Sequence, residues 1–207
     1  MPRPTRLLLL LLIPPAAALG LSELRDYMRF PRRFAEVESR ALYRGGMPTA
    51  DNIRNLRQEN GIRTIVNLTD EKNSSEEKQM LQAASRLGMR FFRVKMPGDG
   101  LADFASLDMA ADALANKDNW PVFFHCAAGK QRSNAALAAY RLKYCGYSLD
   151  KVFAELTGKY DLDTKTESAL WDHIRRYSVW VAAHKPMPPI GPTSIPSSST
   201  KPADVRE

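Results

Sequence analysis

Cysteine and histidine are scarce in this chain of 207 residues, which holds two Cys and three His. Two thiols cannot build a disulfide-stapled scaffold. His173 and His184 have no partner at metal-ligand spacing and read as packing or surface residues, so neither a metal nor a cofactor is expected. Long apolar runs are missing too. Leu7 to Ile13 is pure aliphatic but far short of the roughly 20 residues that a membrane-spanning helix needs. There is no long basic run and no internal repeat. The net charge of +7 is spread mostly in single residues, which argues against a nucleic-acid-binding arm and is compatible with an anionic substrate. A solvated basic surface accounts for the charge equally well.

What is present at the start reads as an address. Arg3 and Arg6, the run to Ile13, and then Pro14, Pro15 and Ala16 to Ala18 follow the order of a secretory signal. Residues 1–20 are expected to be cut after Ala18 or Gly20, the competing reading being an uncleaved anchor. They hold two Arg and no acid, so removal takes the charge from +7 to +5. The product would be exported, periplasmic or secreted, with no stable membrane span after cleavage. A mixed, charged segment, 21–41, leads into the domain proper, 42–184. Residues 185–207 are rich in Pro and Ser and nearly free of large apolar residues, so a disordered tail is expected.

Within the domain, hydrophobic periodicity alternates. Leu42 begins a short strand, and Gly45-Gly46-Met47-Pro48 turns into a helix that Thr49 caps and Gly61 stops. Arg63 to Leu68 is a buried strand, Glu76 to Leu87 a helix, Met89 to Val94 a strand, Phe104 to Asn116 a helix and Val122 to His125 a third buried strand. Helices over Asp150 to Leu156 and Glu167 to Trp180 follow, with Trp171, Tyr177 and Trp180 at core-packing intervals. The pattern predicts an α/β domain: a central, mainly parallel sheet flanked by helices.

One segment concentrates chemistry: His125-Cys126-Ala127-Ala128-Gly129-Lys130-Gln131-Arg132-Ser133, between a buried strand and a helix. A tight loop at a helix start turns successive backbone N–H groups inward and makes an anion site. Ala127, Ala128 and Gly129 keep it narrow, while Lys130 and Gln131 complete its wall. Arg132 offers a planar fork to two oxygens. The same field lowers the pKa of the Cys126 thiol, so the anion site also activates a nucleophile. The flanking His, Gly, Arg and Ser would coincide by chance with probability about 10⁻⁵ at roughly 5% usage each, which excludes accident. Ser133 to Tyr144 reads as one helix, which sets Cys145 about 18 Å beyond its start. A disulfide needs Cα atoms within about 7 Å, so Cys126 is read as free and Cys145 as a buried apolar thiol.

HCAAGKQRS resembles the His-Cys-x5-Arg-Ser/Thr signature of the cysteine-based protein tyrosine and dual-specificity phosphatases. With YRGGMP upstream and GKxR in the loop, the chain looks closest to the compact bacterial tyrosine phosphatases and the Siw14-like atypical dual-specificity group. Asn134 departs from the Gly many members carry there. The resemblance covers about 42–180. It implies a phosphocysteine at Cys126, transition-state binding by Arg132, assistance from the Ser133 hydroxyl and support of the Cys by His125. It also implies a general acid on the loop before the Cys. Asp99 stands where the family pattern expects it, and Asp103 is the alternative, although its place suggests a helix cap. The implied substrate is a phosphorylated protein, phosphotyrosine first and phosphoserine or phosphothreonine also. An inositol phosphate or phosphoinositide is the alternative, for which Lys130 is the candidate contact. Tyr43, Arg44, Asn73 and Phe104 are nearby candidates for shaping the entrance. A rhodanese-type sulfurtransferase has a shorter loop, a low-molecular-weight phosphatase has its Cys near the N-terminus, and a phospho-binding pseudophosphatase tends to lose the Cys, Arg or acid. Oligomeric state is not indicated.

Overall fold

The computed structural model describes residues 29–70 and 74–184. The expected signal (1–20), the tail (185–207) and Asn73 lie outside the described residues. Among the described residues, five strands form one sheet: β1 (Ala35–Glu38), β2 (Leu42–Gly45), β3 (Thr64–Thr69), β4 (Arg90–Met96) and β5 (Val122–His125), in the order β1-β2-β5-β3-β4. β1 runs antiparallel to β2, and every other neighbouring pair is parallel. The mainly parallel α/β reading therefore holds. The sheet also takes in β1, which lies in the 21–41 segment ahead of residue 42. Ala-Glu-Val-Glu offers a single β-branched residue, so an edge strand held by pairing rather than propensity leaves little local signal.

Helices α1 (Ala50–Glu59), α2 (Ser75–Arg86), α3 (Phe104–Ala115), α4 (Gln131–Tyr144), α5 (Leu149–Lys159) and α6 (Ser168–His184) complete the domain. α1 begins as expected at Thr49, whose side chain and that of Asn52 cap each other's backbone N–H. The strands alternate between two cores. Tyr43, Ile65 and Phe123 pack with Ile53, Leu56 and Met80 on the α1 and α2 side. Leu42, Val66, Val122 and Phe124 pack with α3, α4, α5 and α6. α4 is buried from Arg132 to Leu142, and Ala135, Ala136, Ala138 and Ala139 let neighbouring elements approach it closely. Arg141 crosses this core as a cation held by both carboxylate oxygens of Glu155 at 2.8 Å and by Glu38 of β1. It pins the edge strand to α4 and α5.

The register decides where chemistry can occur. Gly45 and Asn67 both stand opposite His125, so β2 and β5 end at one level and β3 runs two residues further, to Thr69. In parallel sheets, the space beyond the carboxyl ends of the strands is where ligands bind. The segment after β5 begins there.

Candidate active site

Cys126 follows the central strand directly and is 2% exposed. Its Sγ accepts hydrogen bonds from the Gly129 N–H at 3.2 Å and the Ser133 hydroxyl at 3.3 Å. Burial alone would raise its pKa. The Ser133 hydroxyl and N–H, the Lys130 N–H and the Arg132 guanidinium outweigh burial and hold the thiol below its ordinary value. The loop is tight because Gly129 permits it. Its φ is +71°, and a Cβ there would lie 2.6 Å from the Gly45 carbonyl carbon. The Gly-Gly turn after β2 and the loop after β5 are thus built against each other.

Arg132 is 7% exposed, and its Nε has no hydrogen-bond partner among the described residues. No carboxylate pairs with it there either. A buried guanidinium without a protein anion is costly to fold. It is the group that a bound oxyanion would satisfy. His125 is fully buried; burial drives its pKa down to about 4, so it is neutral near pH 7. Its Nδ1 lies 3.3 Å from the Cys126 carbonyl oxygen. This position braces the loop, and the recorded partners of the sulfur are Gly129 and Ser133 rather than the imidazole.

The loop after β4 passes beside the same site. Gly100, at φ +82°, packs so tightly that a Cβ would come within 3.0 Å of the Gln131 carbonyl, which ties the loop to the start of α4. Asp99, the preceding residue, is exposed, and one of its carboxylate oxygens accepts from the Leu101 N–H at 2.9 Å. Asp103 caps α3 by accepting from the Ser106 N–H at 2.6 Å, which lowers its pKa. His173 secures the loop's far end, its Nε2 2.6 Å from the Ala102 carbonyl.

Other candidates find different places. Ala127 is exposed, and Ala128 and Gln131 are half-buried on the loop. Lys130 contributes its backbone, but its ammonium lies 3.5 Å from the buried carboxylate of Glu167. That pairing competes with the substrate contact expected of it. Tyr43 points into the α1 and α2 core beside Phe34 and is not at the entrance. Phe104 packs on His173, Tyr177 and Trp180. Cys145 is half-buried and free, 3.7 Å from Arg141 Nη1. Asn134 uses its side-chain N–H to reach the Tyr160 carbonyl at 3.3 Å, tying α4 to the end of α5.

Two arginines reach the loop from behind. Arg33 donates to the Ala128 carbonyl at 3.1 Å, and Arg44, 1% exposed, donates to the Gly129 carbonyl at 2.9 Å. Arg44 also stacks over Tyr160 at 4.2 Å, and burial brings its pKa down to about 10. Arg44 carried a usable signal. It shares a strand face with Leu42, so in a buried strand it needs an internal acceptor. Arg33 lies in the segment read as leading into the domain and gave none.

A cavity of about 140 Å³ lies behind the loop, lined by Arg33, Arg44, Gly129 and Tyr160 among others. A larger one, about 470 Å³, sits away from the loop between Asp108, Lys143, Tyr144 and Trp180. Size does not locate this site; the sulfur, its donors and the unpaired Arg132 do.

The sequence pattern of the tyrosine phosphatase family matches residues 29–176. Solved structures share the fold. The core catalytic domain of the PP-IP phosphatase SIW14 from S. cerevisiae, in complex with citrate, is 22% identical with a TM-score of 0.58, covering 72% of this chain and 87% of that one. TpbA from P. aeruginosa is 19% identical at TM-score 0.57, covering 73% and 91%. PTPMT1 in complex with PI(5)P is 17% identical at TM-score 0.57, covering 72% and 97%.

Proposed function

Because the chain belongs to the tyrosine phosphatase family, we propose that it hydrolyses phosphate monoesters of proteins, phosphotyrosine first, through a phosphocysteine at Cys126. One observation carries this reading: a thiol held below its ordinary pKa by inward N–H donors and Ser133, beside a buried Arg132 with no protein anion. In the first step, the Cys126 sulfur donates an electron pair to phosphorus. The bond to the leaving oxygen breaks, and Asp99 gives that oxygen its proton. In the second step, water attacks the phosphocysteine, Asp99 takes the water's proton, and the Ser133 hydroxyl stabilises the departing thiolate. Loop N–H groups and Arg132 hold the three equatorial oxygens throughout.

Asp99 is the testable member of this set. Asp99→Asn should slow hydrolysis of tyrosyl and alkyl phosphates by about 10²–10⁴-fold. It should matter far less for aryl phosphates whose leaving group departs without a proton. Asp103→Asn should cost about 1 kcal/mol of stability, as a lost helix cap does, with little change in rate. Rates over a leaving-group series, with melting curves, separate the two. The reverse pattern would move the acid to Asp103.

A second reading, an inositol phosphate or phosphoinositide, is favoured by two of the similar structures, a PP-IP phosphatase and a PI(5)P complex. Against it stands the Lys130–Glu167 pair, which withdraws the loop's ammonium from a polyanion. Glu167→Gln releases Lys130. Activity on inositol polyphosphates should then rise about threefold to fivefold through KM, the worth of one partly screened charge, with phosphotyrosyl peptide turnover little changed. An unchanged ratio between the two substrate classes would show that the pair does not set selectivity. Assays on phosphotyrosyl peptides, phosphoseryl peptides and inositol phosphates decide between the readings.

A further inference from the structure

An anion loop works only if its N–H groups converge. In a planar trans peptide, the carbonyl of one residue and the N–H of the next point in opposite directions. Convergence of the N–H groups therefore requires the carbonyls to diverge and to find partners outside. Three consecutive carbonyls of this loop do so on a single stretch of chain. Ala127 O accepts from the Met47 N–H at 3.0 Å, Ala128 O from Arg33 Nη1 at 3.1 Å and Gly129 O from Arg44 Nη2 at 2.9 Å. The opposite ends of the latter two peptides are the Gly129 N–H, 3.2 Å from Sγ, and the Lys130 N–H, which also lowers the thiol's pKa.

We propose that Arg33 and Arg44 are positioning residues that grip the loop from behind and so aim the Gly129 and Lys130 N–H groups at the sulfur and at a bound oxyanion. The proposal extends the phosphatase reading, but its anchor is geometry that holds whatever the substrate. The two arginines are fixed independently. Arg44 is buried on β2 over Tyr160, whereas Arg33 is exposed and also bridges to Asp161 at 3.3 Å. They meet at the end of α5, where Asn134 of α4 is also bonded. The Met47 contact needs no side chain, and Gly129 lies close against Gly45, so the side-chain grip falls to the two guanidiniums. Without the guanidinium donors, the Ala128 and Gly129 carbonyls lose the partners that oppose rotation.

The charged and polar groups facing Cys126 are Arg44 from β2, neutral His125 at the end of β5, and Arg132 and Ser133 from α4. Arg44 therefore acts on the sulfur through charge as well as through the peptide, and Arg33→Ala isolates the peptide effect. The test uses the full chain and two readouts that do not depend on turnover: the pH profile of Cys126 alkylation by iodoacetamide, and titration of inorganic phosphate. Arg44→Met should move the alkylation midpoint to higher pH, weaken phosphate about tenfold and lower kcat by about 10²-fold, the cost of a small misplacement. Arg33→Ala should move all three the same way by less, with its melting temperature near wild type. If both variants fold and keep the wild-type midpoint and phosphate affinity within about twofold, the arginines only support the fold and the proposal is wrong. If Arg44→Met does not fold, Arg33→Ala decides alone by the same criterion. A wild-type protein inactive on every phosphoester would sink the phosphatase reading, while alkylation and phosphate binding would still judge the grip.

Discussion

Cys126→Ser should lower kcat by at least about 10⁴-fold, the scale on which loss of a nucleophile acts in enzymes that form covalent intermediates. The reason is local. Gly129, Lys130, Ser133 and Arg132 are arranged to stabilise a negative sulfur, and a serine hydroxyl ionises too weakly at neutral pH to exploit them. Inorganic phosphate should still bind the variant by calorimetry, because the N–H groups and Arg132 are untouched. The wild-type rate should rise with pH through a value below the ordinary thiol range, since the folded protein favours the thiolate. In the variant no such limb remains. Turnover near wild type after the substitution would refute the phosphocysteine route. Loss of phosphate binding together with turnover would mean that the loop had collapsed, and the melting curve would show it.

What the sequence disclosed and what it hid divide along contact distance. Strand, Cys126, loop and the start of α4 lie within a dozen residues, so His125 to Ser133 could be read as one local unit. Gly129 and the Gly45-Gly46 turn were each visible, yet their fit across more than 80 residues was not; only the Cβ that cannot be added reveals it. The same holds for Arg33 and Arg44 on the loop's carbonyls, and for Glu167 beneath Lys130. Long-range polar pairs have no periodicity and no spacing rule, so a sequence shows the donors without the acceptors. β1 stayed hidden for a related reason. Ala35 to Glu38 is a strand because β2 offers it an edge and Arg141 holds Glu38. Asp103, in contrast, could be recognised as a cap because capping is a local contact.

Arg132→Lys should fail almost as completely as Arg132→Ala, each losing about 10³–10⁵ in kcat, the range in which a transition-state arginine acts in phosphoryl transfer. A lysine keeps the charge but replaces a planar fork with a point donor, and two phosphoryl oxygens cannot both be met in one plane. The structure supplies a control that separates this role from a structural one. Arg132 is buried, its Nε has no partner, and no carboxylate among the described residues pairs with it. A residue kept for stability would not be left in that condition, because an unpaired buried cation opposes folding. Arg132→Met, which keeps the stem and removes the charge, should therefore melt no lower than wild type while losing both turnover and phosphate affinity. Activity would have been retained at the expense of stability, as is common where a site must hold an unsatisfied group ready for its ligand. Thermal melts, phosphate titration and steady-state rates on one tyrosyl phosphate decide the matter. If Arg132→Lys recovers most of the rate, the guanidinium serves only as charge. If Arg132→Met instead melts well below wild type, the residue holds the fold and the assignment of its role at phosphorus fails.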